Sequence, residues 1–483
     1  MVPAIATVVY VLGILALFLL DRDENARTSG ALWMPVIWLL INGSRPVSQW
    51  LQTGPTISQI QTTPRPVEAN LYLDGSPLDA VVWAILLAVG IAVLFTRREQ
   101  VWTLLRANGP ILLFFSYCAL SIVWSDYPFV AFKRWIKAVG DVVMILIVLT
   151  DLNPSFAIRR LISRAGFVLI PVSVLFIKYY PDLGRSYNPW TWMPVYGGVT
   201  TFKNLLGMTC LICGLGSLWC FVAAYEDKES TRRVRHLIAH GVVIAMVLWL
   251  FWVADSMTSL SCFIMAGGVM IASSQARLAR KPLVVHVLVA AVVLVSIFAL
   301  FLDASGGLVG SLGRDSTLTG RSAIWNVVLS LDQSPLLGTG YESFWLGKRL
   351  QEVLDLTKMK GIQEAHNGYL EIYLNLGWVG IALLALLIMA GYRNVIAMFG
   401  RDPQAGRIRL AFFVVAVVYS FTEAGFKTLT PVWICFLLAV MAVPIAPIPE
   451  RPQLTGIDHT EIFPEFARQP DHILPAGFCR EAV

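Results

Sequence analysis

The stretch "QEAHNGYLEIYLNLGWVGIALLALLI" occupies Gln363–Ile388. From Tyr369 onward it is an apolar run with no strict alternation of polar and apolar side chains, which reads as a helix rather than a strand. Continued to Ala390, it is long enough to cross a hydrocarbon layer, which takes about 20 apolar residues. Runs of this kind recur along the chain. Of 483 residues, 57% are hydrophobic and only 14% charged, with a mean hydropathy of +0.67. A soluble domain is about half apolar and about a quarter charged. Lipid offers no partner to a free backbone N–H or C=O, so spanning segments close their hydrogen bonds within helices. The expected fold class is therefore all-α: a polytopic membrane helical bundle of about 12–13 transmembrane helices, with a large extramembrane loop carrying short amphipathic helices.

Working outward, thirteen spans are expected at about 4–20, 31–42, 78–95, 108–124, 138–152, 165–179, 205–224, 237–254, 259–275, 283–302, 369–390, 409–423 and 430–447. They define four regions: ten spans with short loops (1–302), a large loop (303–368), three further spans (369–447) and a loosely ordered tail (448–483). The short loops at 96–106, 153–164, 225–236, 276–282 and 391–408 are all basic and fall on one side. The excess of Lys and Arg in short loops marks the cytoplasmic face. The tail is then inside and, with an odd number of spans, the N-terminus outside. The large loop contains "SAIWNVVLSL" and "YESFWLGKRLQEVLDL", which read as amphipathic surface helices.

Several chemistries are disfavoured. Cys210 and Cys213 form a CxxC, but within an apolar run and without a second pair, so helix packing is the simpler reading. His236 and His240 have a metal-compatible i,i+4 spacing and no obvious carboxylate partner. No phosphate-cradling GxxxxGK[ST] and no HExxH occurs. Neither a metal nor a cofactor is expected, and nothing points to nucleic acid.

Polar residues gather instead at the face opposite the basic loops. The large loop opens with "GRDSTLTGRSAIWN", placing Arg314 and Arg321 in Gly/Ser/Thr-rich turns before a helical run that Ser322 could cap. A guanidinium fork suits phosphate oxygens, although lipid headgroups alone would also attract it. Arg185, Lys203 and Asn204 lie on the same side, as do Asp126, Lys133, Arg134 and the turn Asp255–Ser259. An anionic ligand at the outer leaflet would account for cations on the side that the positive-inside rule empties. His366 precedes Asn367 and Gly368 at the start of the span, where free helix N–H groups favour an anion. A histidine there can accept a proton near neutral pH. Glu364 could orient it or act as the base instead.

Five elements in order carry a resemblance: "SIVWSDYP", "TFKNLLG", "DSMTSL", "TLTGRSAIW" and "AHNGYLEIYLNLGWVG", the last including His366 and Gly377. Together they cover roughly residues 115–390. The chain resembles the O-antigen ligase / polysaccharide polymerase superfamily of bacterial inner-membrane proteins, in particular its exopolysaccharide-polymerase-like branch. The resemblance implies metal-independent glycosyl transfer at the periplasmic face of a multi-pass inner-membrane protein. The donor would be a glycan on a polyprenyl diphosphate and the acceptor a glycan hydroxyl. Partners would include membrane lipids and other polysaccharide-assembly proteins. Carried over, Arg321 would bind the diphosphate, His366 would activate the acceptor, and Lys203 would assist. Arg314, Arg185, Asn204, Glu364 and Asn367 complete the candidate binding set. Two positions depart from the ligase pattern: Met257 stands where ligases often carry arginine, and Phe202 where the family has histidine. Polymerisation of surface or exopolysaccharide repeat units is thus favoured over transfer to a lipid A core. A transporter or flippase of lipid-linked sugars is the alternative of another class; its ionisable groups should cluster near the midplane, where Asp141 is the main example.

Overall fold

The computed structural model describes residues 2–23, 27–52, 75–187, 193–274, 286–294 apart from 288 and 292, 317–331 (317–320 by backbone only), 334–358 and 362–443. Among the described residues the chain is helical except for its connections and one two-stranded antiparallel hairpin, β1 (Arg185–Tyr187) with β2 (Pro194–Tyr196). Its helices of ten or more residues begin with α1 (Pro3–Leu20), α2 (Trp33–Asn42), α3 (Pro77–Thr96), α4 (Arg98–Ala107), α5 (Gly109–Leu120), α6 (Pro128–Leu149) and α7 (Pro154–Tyr179). They continue with α8 (Lys203–Glu226), α9 (Arg233–Ala254), α10 (Met257–Ser274), α11 (Thr317–Ser330), α12 (Gly347–Thr357), α13 (Gly368–Arg401), α14 (Pro403–Tyr419) and α15 (Pro431–Val440). Local chemistry sets many of the starts. Proline opens α1, α3, α6, α7, α14 and α15, where its missing N–H costs nothing and its φ is already helical. Ser76, Asn153, Asp402 and Thr430 each accept a first-turn N–H at the N-cap.

The all-α membrane fold stands. Seven of the thirteen expected spans coincide with helices long and apolar enough to cross a membrane, namely α1, α3, α7, α8, α9, α10 and α13. The expected basic loop at 96–106 is mostly the amphipathic α4, which meets the α5 segment at 88°, and counting that bent pair gives eight. α6 carries Lys133, Arg134, Lys137 and Asp141, and α14 is 17 residues long with Arg407 and Arg409 buried in it. α2 and α15 have ten residues each. Ten residues rise about 15 Å, half of the roughly 30 Å core. These helices are apolar because they are buried among others: Trp38, Leu39, Trp433 and Phe436 are almost fully enclosed. α1 and α3 instead turn Val8, Leu12, Leu15, Val81 and Ile85 outward, as lipid-facing helices do. The expected span at 283–302, the start of the large loop and the tail from 448 fall largely or wholly outside the described residues.

Among the described residues, the basic connections gather at one end of the bundle. There Arg97 reaches Ser29 and Thr150, Arg159 reaches Asp21, and Arg407 pairs with Glu226. The other end collects the connections 180–187, 193–202, 255–256, 334–346, 362–367 and 420–430.

At that second end, α13 is broken. Gly377 adopts φ 64° and ψ −164°, a conformation nearly reserved for glycine. A Cβ there would meet the Leu336 carbonyl at 2.3 Å. The segment 334–346 fills the gap. Trp378 N–H donates to the Pro335 carbonyl (2.9 Å) and Gly340 N–H to the Asn375 carbonyl (2.9 Å), so the freed backbone groups stay paired. The expected helix at Tyr341–Leu356 accordingly starts only at Gly347, because its first residues serve this insertion. α11 and α12 pack with the same segment around Ile324, Val328, Phe344, Leu350 and Val353 as a separate apolar cluster.

Candidate functional site

The short first half of α13, Gly368 to Leu376, is pinned at its N-terminus. Asn367 caps it through Oδ1, which accepts from the N–H of Tyr369 and of Leu370 at 3.0 Å each. Gly368 N–H donates to the carbonyls of Ser420 (2.8 Å) and Glu423 (3.0 Å). The connection 420–430 between α14 and α15 is thereby locked to the loop that carries His366. His366 has φ 50°, in the left-handed region that a side chain with a Cβ adopts only when its surroundings hold it there.

Glu423 is the hub. Arg321 Nη2 lies 2.8 Å from its Oε1, and His366 Nδ1 lies 3.1 Å from its Oε2. Asn204 donates through Nδ2 to the same Oε1 (3.3 Å). Glu364 stands 3.3 Å from His366 Nδ1 and 3.2 Å from Lys427 Nζ. Four elements therefore converge: α8 through Asn204, α11 through Arg321, the 362–367 loop, and the 420–430 connection. Glu423 is 7% exposed at its side chain, whereas His366 is 30% exposed and remains within reach of a ligand.

The charges tune one another. Burial disfavours the His366 imidazolium, but the Glu423 hydrogen bond and the charges of Glu364 and Glu423 outweigh it, so the pKa lies above the ordinary histidine value. Burial alone would raise the Glu364 carboxyl; Lys427 and His366 more than reverse that and hold it low. Burial likewise disfavours the Lys427 ammonium, and Glu364 and Glu342 keep it charged with a raised pKa. Glu364, His366 and Glu423 also offer ligand atoms within 4.8 Å of one another, the spacing of a metal site. Their carboxylate oxygens already accept from Arg321, Asn204 and Lys427, so an ion would have to displace these partners.

Of the sequence candidates, the structure brings together Arg321, His366, Glu364 and Asn204, with Asn367 as the helix cap. Lys203 starts α8 beside Asn204 and is exposed. Arg185 is engaged elsewhere: its Nε donates to the Ile177 carbonyl (2.8 Å) and its guanidinium sits 5.6 Å from the Tyr196 ring centroid. Arg314 lies outside the described residues. Ser322 is inside α11, which begins at Thr317, and so does not cap it. Some rim cations have protein partners, since Arg134 donates to the Glu342 carbonyl (2.6 Å) and Arg349 pairs with Asp126 (2.9 Å). Asp141 is an anchor: it accepts from Trp38 Nε1 (2.8 Å) and from Leu429 N–H (3.0 Å), tying the 420–430 connection to α6.

Sequence reasoning missed Glu423 and Lys427. The span expected at 409–423 ran through Glu423, whereas α14 ends at Tyr419. The signal was present in "SFTEAGFKTLTP", a polar turn holding an acid and a lysine around a glycine on the face where the other candidates lie.

Fold and site define a multi-pass helical membrane protein with a charged cluster at one end of its bundle. The O-antigen ligase family profile matches residues 237–385, which include Arg321, Glu364 and His366. The exopolysaccharide production protein ExoQ of Rhizobium meliloti (strain 1021) is 26% identical over 354 residues, covering 71% of this chain and 77% of the relative. The matched segment and this relative make the chain similar to O-antigen ligase-like membrane proteins, which supports a role in membrane glycosyl transfer or polymerisation. No solved structure matches it.

Proposed function

We propose that the chain transfers a glycan from a polyprenyl diphosphate to a sugar hydroxyl, polymerising surface or exopolysaccharide repeat units at the periplasmic face of the bacterial inner membrane. The observation that carries this reading is the convergence of Arg321 and His366 on the two oxygens of Glu423.

The acceptor hydroxyl oxygen bonds to the donor's anomeric carbon, and the bond from that carbon to the diphosphate oxygen breaks. The electron pair leaves with the polyprenyl diphosphate. A diphosphate is a stable anion, so it needs cationic stabilisation more than protonation. Arg321 supplies that charge where it grows in the transition state. Neutral His366 takes the hydroxyl proton. Glu423 binds Nδ1, which leaves Nε2 as the ring nitrogen for the acceptor, and it stabilises the imidazolium that forms. Arg321 supplies the positive charge that a metal supplies in other phosphate chemistries, so this reading needs no metal.

Purified protein given polyprenyl-diphosphate-linked repeat units should release lipid diphosphate and lengthen the glycan. Bond formation sets this reading apart from a flippase, which would move glycan across vesicles without lengthening it. Transfer to lipid A core in place of lipid-linked repeat units would identify a ligase. Undiminished polymer from His366→Ala would remove the imidazole from the mechanism.

A further inference from the structure

A cavity of about 360 Å³ lies between α2, α3 and α6, and none of its lining residues belongs to the Arg321–His366 cluster. Its wall is apolar and aromatic on one side, with Trp38, Trp83 and Leu87, and cationic on the other, with Lys133, Arg134 and Lys137. Lys133 and Lys137 are one helical turn apart on α6, on one face of it.

The nearby acids are largely committed. Arg134 lies 3.7 Å from Glu342, and the Asp79 carboxylate accepts from Ser48 N–H (2.9 Å) and Ser48 Oγ (2.6 Å). Lys133 sits 4.9 Å from the Phe129 ring centroid, and among the described residues neither lysine forms an ion pair. Lys133, Arg134 and Lys137 set three cations against two acids, Asp79 acting on Lys137 and Glu342 paired with Arg134, and this excess of half-buried positive charge calls for an anion. The apolar side calls for a hydrocarbon chain attached to it. α3, which forms that side, turns Val81, Ile85 and Val89 outward on its lipid-facing surface, so a tail seated in the groove can continue into the bilayer. Asp141 joins groove and cluster, holding groove residue Trp38 with one oxygen and Leu429, two positions after Lys427, with the other.

We propose that this groove seats the diphosphate and the first isoprene units of a second polyprenyl-linked substrate, the acceptor. The proposal rests on the glycosyl-transfer reading above. Joining two lipid-linked glycans requires two lipid diphosphates held side by side at one end of the bundle. The Arg321 cluster supplies one anion site, and Lys133, Arg134 and Lys137 supply the other. The acceptor keeps its own diphosphate throughout the reaction, so its seat needs cations and no proton acceptor, which is what the groove offers.

The test is native mass spectrometry of the full chain with a sugar-free polyprenyl diphosphate, which binds but cannot react. Wild type should carry two lipid diphosphates. Lys133→Gln/Lys137→Gln should carry one, Arg321→Ala one, and the combined variant none, while Lys133→Arg/Lys137→Arg keeps two. With reactive substrate, the double glutamine variant should raise the acceptor KM at least tenfold and leave the donor KM unchanged. Two copies on the glutamine variant, or one on wild type, would overturn the proposal. So would displacement of the second copy by an equal amount of phosphatidylglycerol, which would mark a general headgroup site. Displacement by free pyrophosphate at the same concentration would mark a phosphate site without a lipid requirement, and a raised donor KM would assign the groove to the donor. If Arg321→Ala keeps two copies and full transfer, the catalytic reading fails while the groove result stands on its own.

Discussion

Two charged clusters sit near the two ends of α8, about 24 Å apart along its axis at 1.5 Å per residue. Beside Asn204 are Arg321, Glu364, His366, Glu423 and Lys427; near Cys220 are Asp21, Arg159, His236 and His240, with Asp23 and Arg232 adjoining. Both combine two carboxylates with histidine and arginine. In the second cluster, Asp21 clamps Arg159 of α7 (3.6 Å) and His240 of α9 (3.1 Å) to the end of α1, and the His240 side chain is 0% exposed. Regular helices carry its cations, and no ligand can reach its imidazole. In the first cluster, histidine and hub acid sit on connections, the histidine in a left-handed conformation and partly open. Composition alone does not separate a fastener from a reactive site. What separates them is whether the imidazole has a free path outward and whether backbone strain is being held around it.

The largest expected effects test that difference. Arg321→Ala should lower kcat by about 10²–10³ as a lost transition-state charge partner. His366→Ala should lower it by about 10²–10⁴ as a lost proton acceptor. His366→Ala should lower the melting temperature little, because its side chain is 30% exposed, whereas Arg321→Ala also leaves the 7% exposed Glu423 short of a partner and costs some stability. Asp21→Asn should do the reverse, costing about 1–3 kcal/mol of stability through unpaired buried partners while kcat stays within about twofold. Turnover assays and thermal unfolding on the same samples check both. A catalytic collapse in Asp21→Asn at intact stability would erase the distinction.

A smaller effect tests the hub. Glu423→Gln removes a charged hydrogen bond from His366, which costs about 10- to 100-fold in kcat at about 1.4 kcal/mol per tenfold. It also changes the pH profile. The proposed mechanism needs neutral His366, so on it activity falls as pH drops through the His366 pKa, which the carboxylates hold above the ordinary value. Losing one carboxylate lowers that pKa, and the acid limb of the kcat profile should move to lower pH. An unmoved limb would place the titrating group elsewhere.

Much of this was legible in the sequence. Run length and the absence of alternation gave the helices, and the basic loops gave the two ends. "TLTGRS" and "EAHNG" gave the arginine and the histidine that the structure joins. Glu423 was missed because the apolar span was carried a turn too far into the polar "SFTEAG", and its place in the cluster is set by contacts from Gly368 and Arg321, distant in sequence. The same limit blurs the difference between a short buried helix and a full span. Ten apolar residues buried by neighbours, as in α15, look like part of a longer lipid-facing run until packing is known. The break in α13 was also out of reach, because Gly377 alone does not announce the segment 334–346 that fills it.

The smallest effect concerns the outer pair of the cluster. Glu364 and Lys427 bond to each other (3.2 Å), and Glu364 adds a second, longer approach to His366 (3.3 Å) beside the one Glu423 makes. If Glu423 is the orienting acid, Glu364→Gln should cost only about three- to tenfold in kcat, the range of a partly exposed charged interaction. Lys427→Met should cost about as much. The double variant should be no worse than either single, because the two charges neutralise each other and leave together. The acid limb of the pH profile should shift less in Glu364→Gln than in Glu423→Gln, since no hydrogen bond to His366 goes with the lost charge. Should the order reverse, with Glu364→Gln costing more than Glu423→Gln, the imidazole takes its direction from the neighbouring loop acid, and Glu423 acts chiefly to hold Arg321.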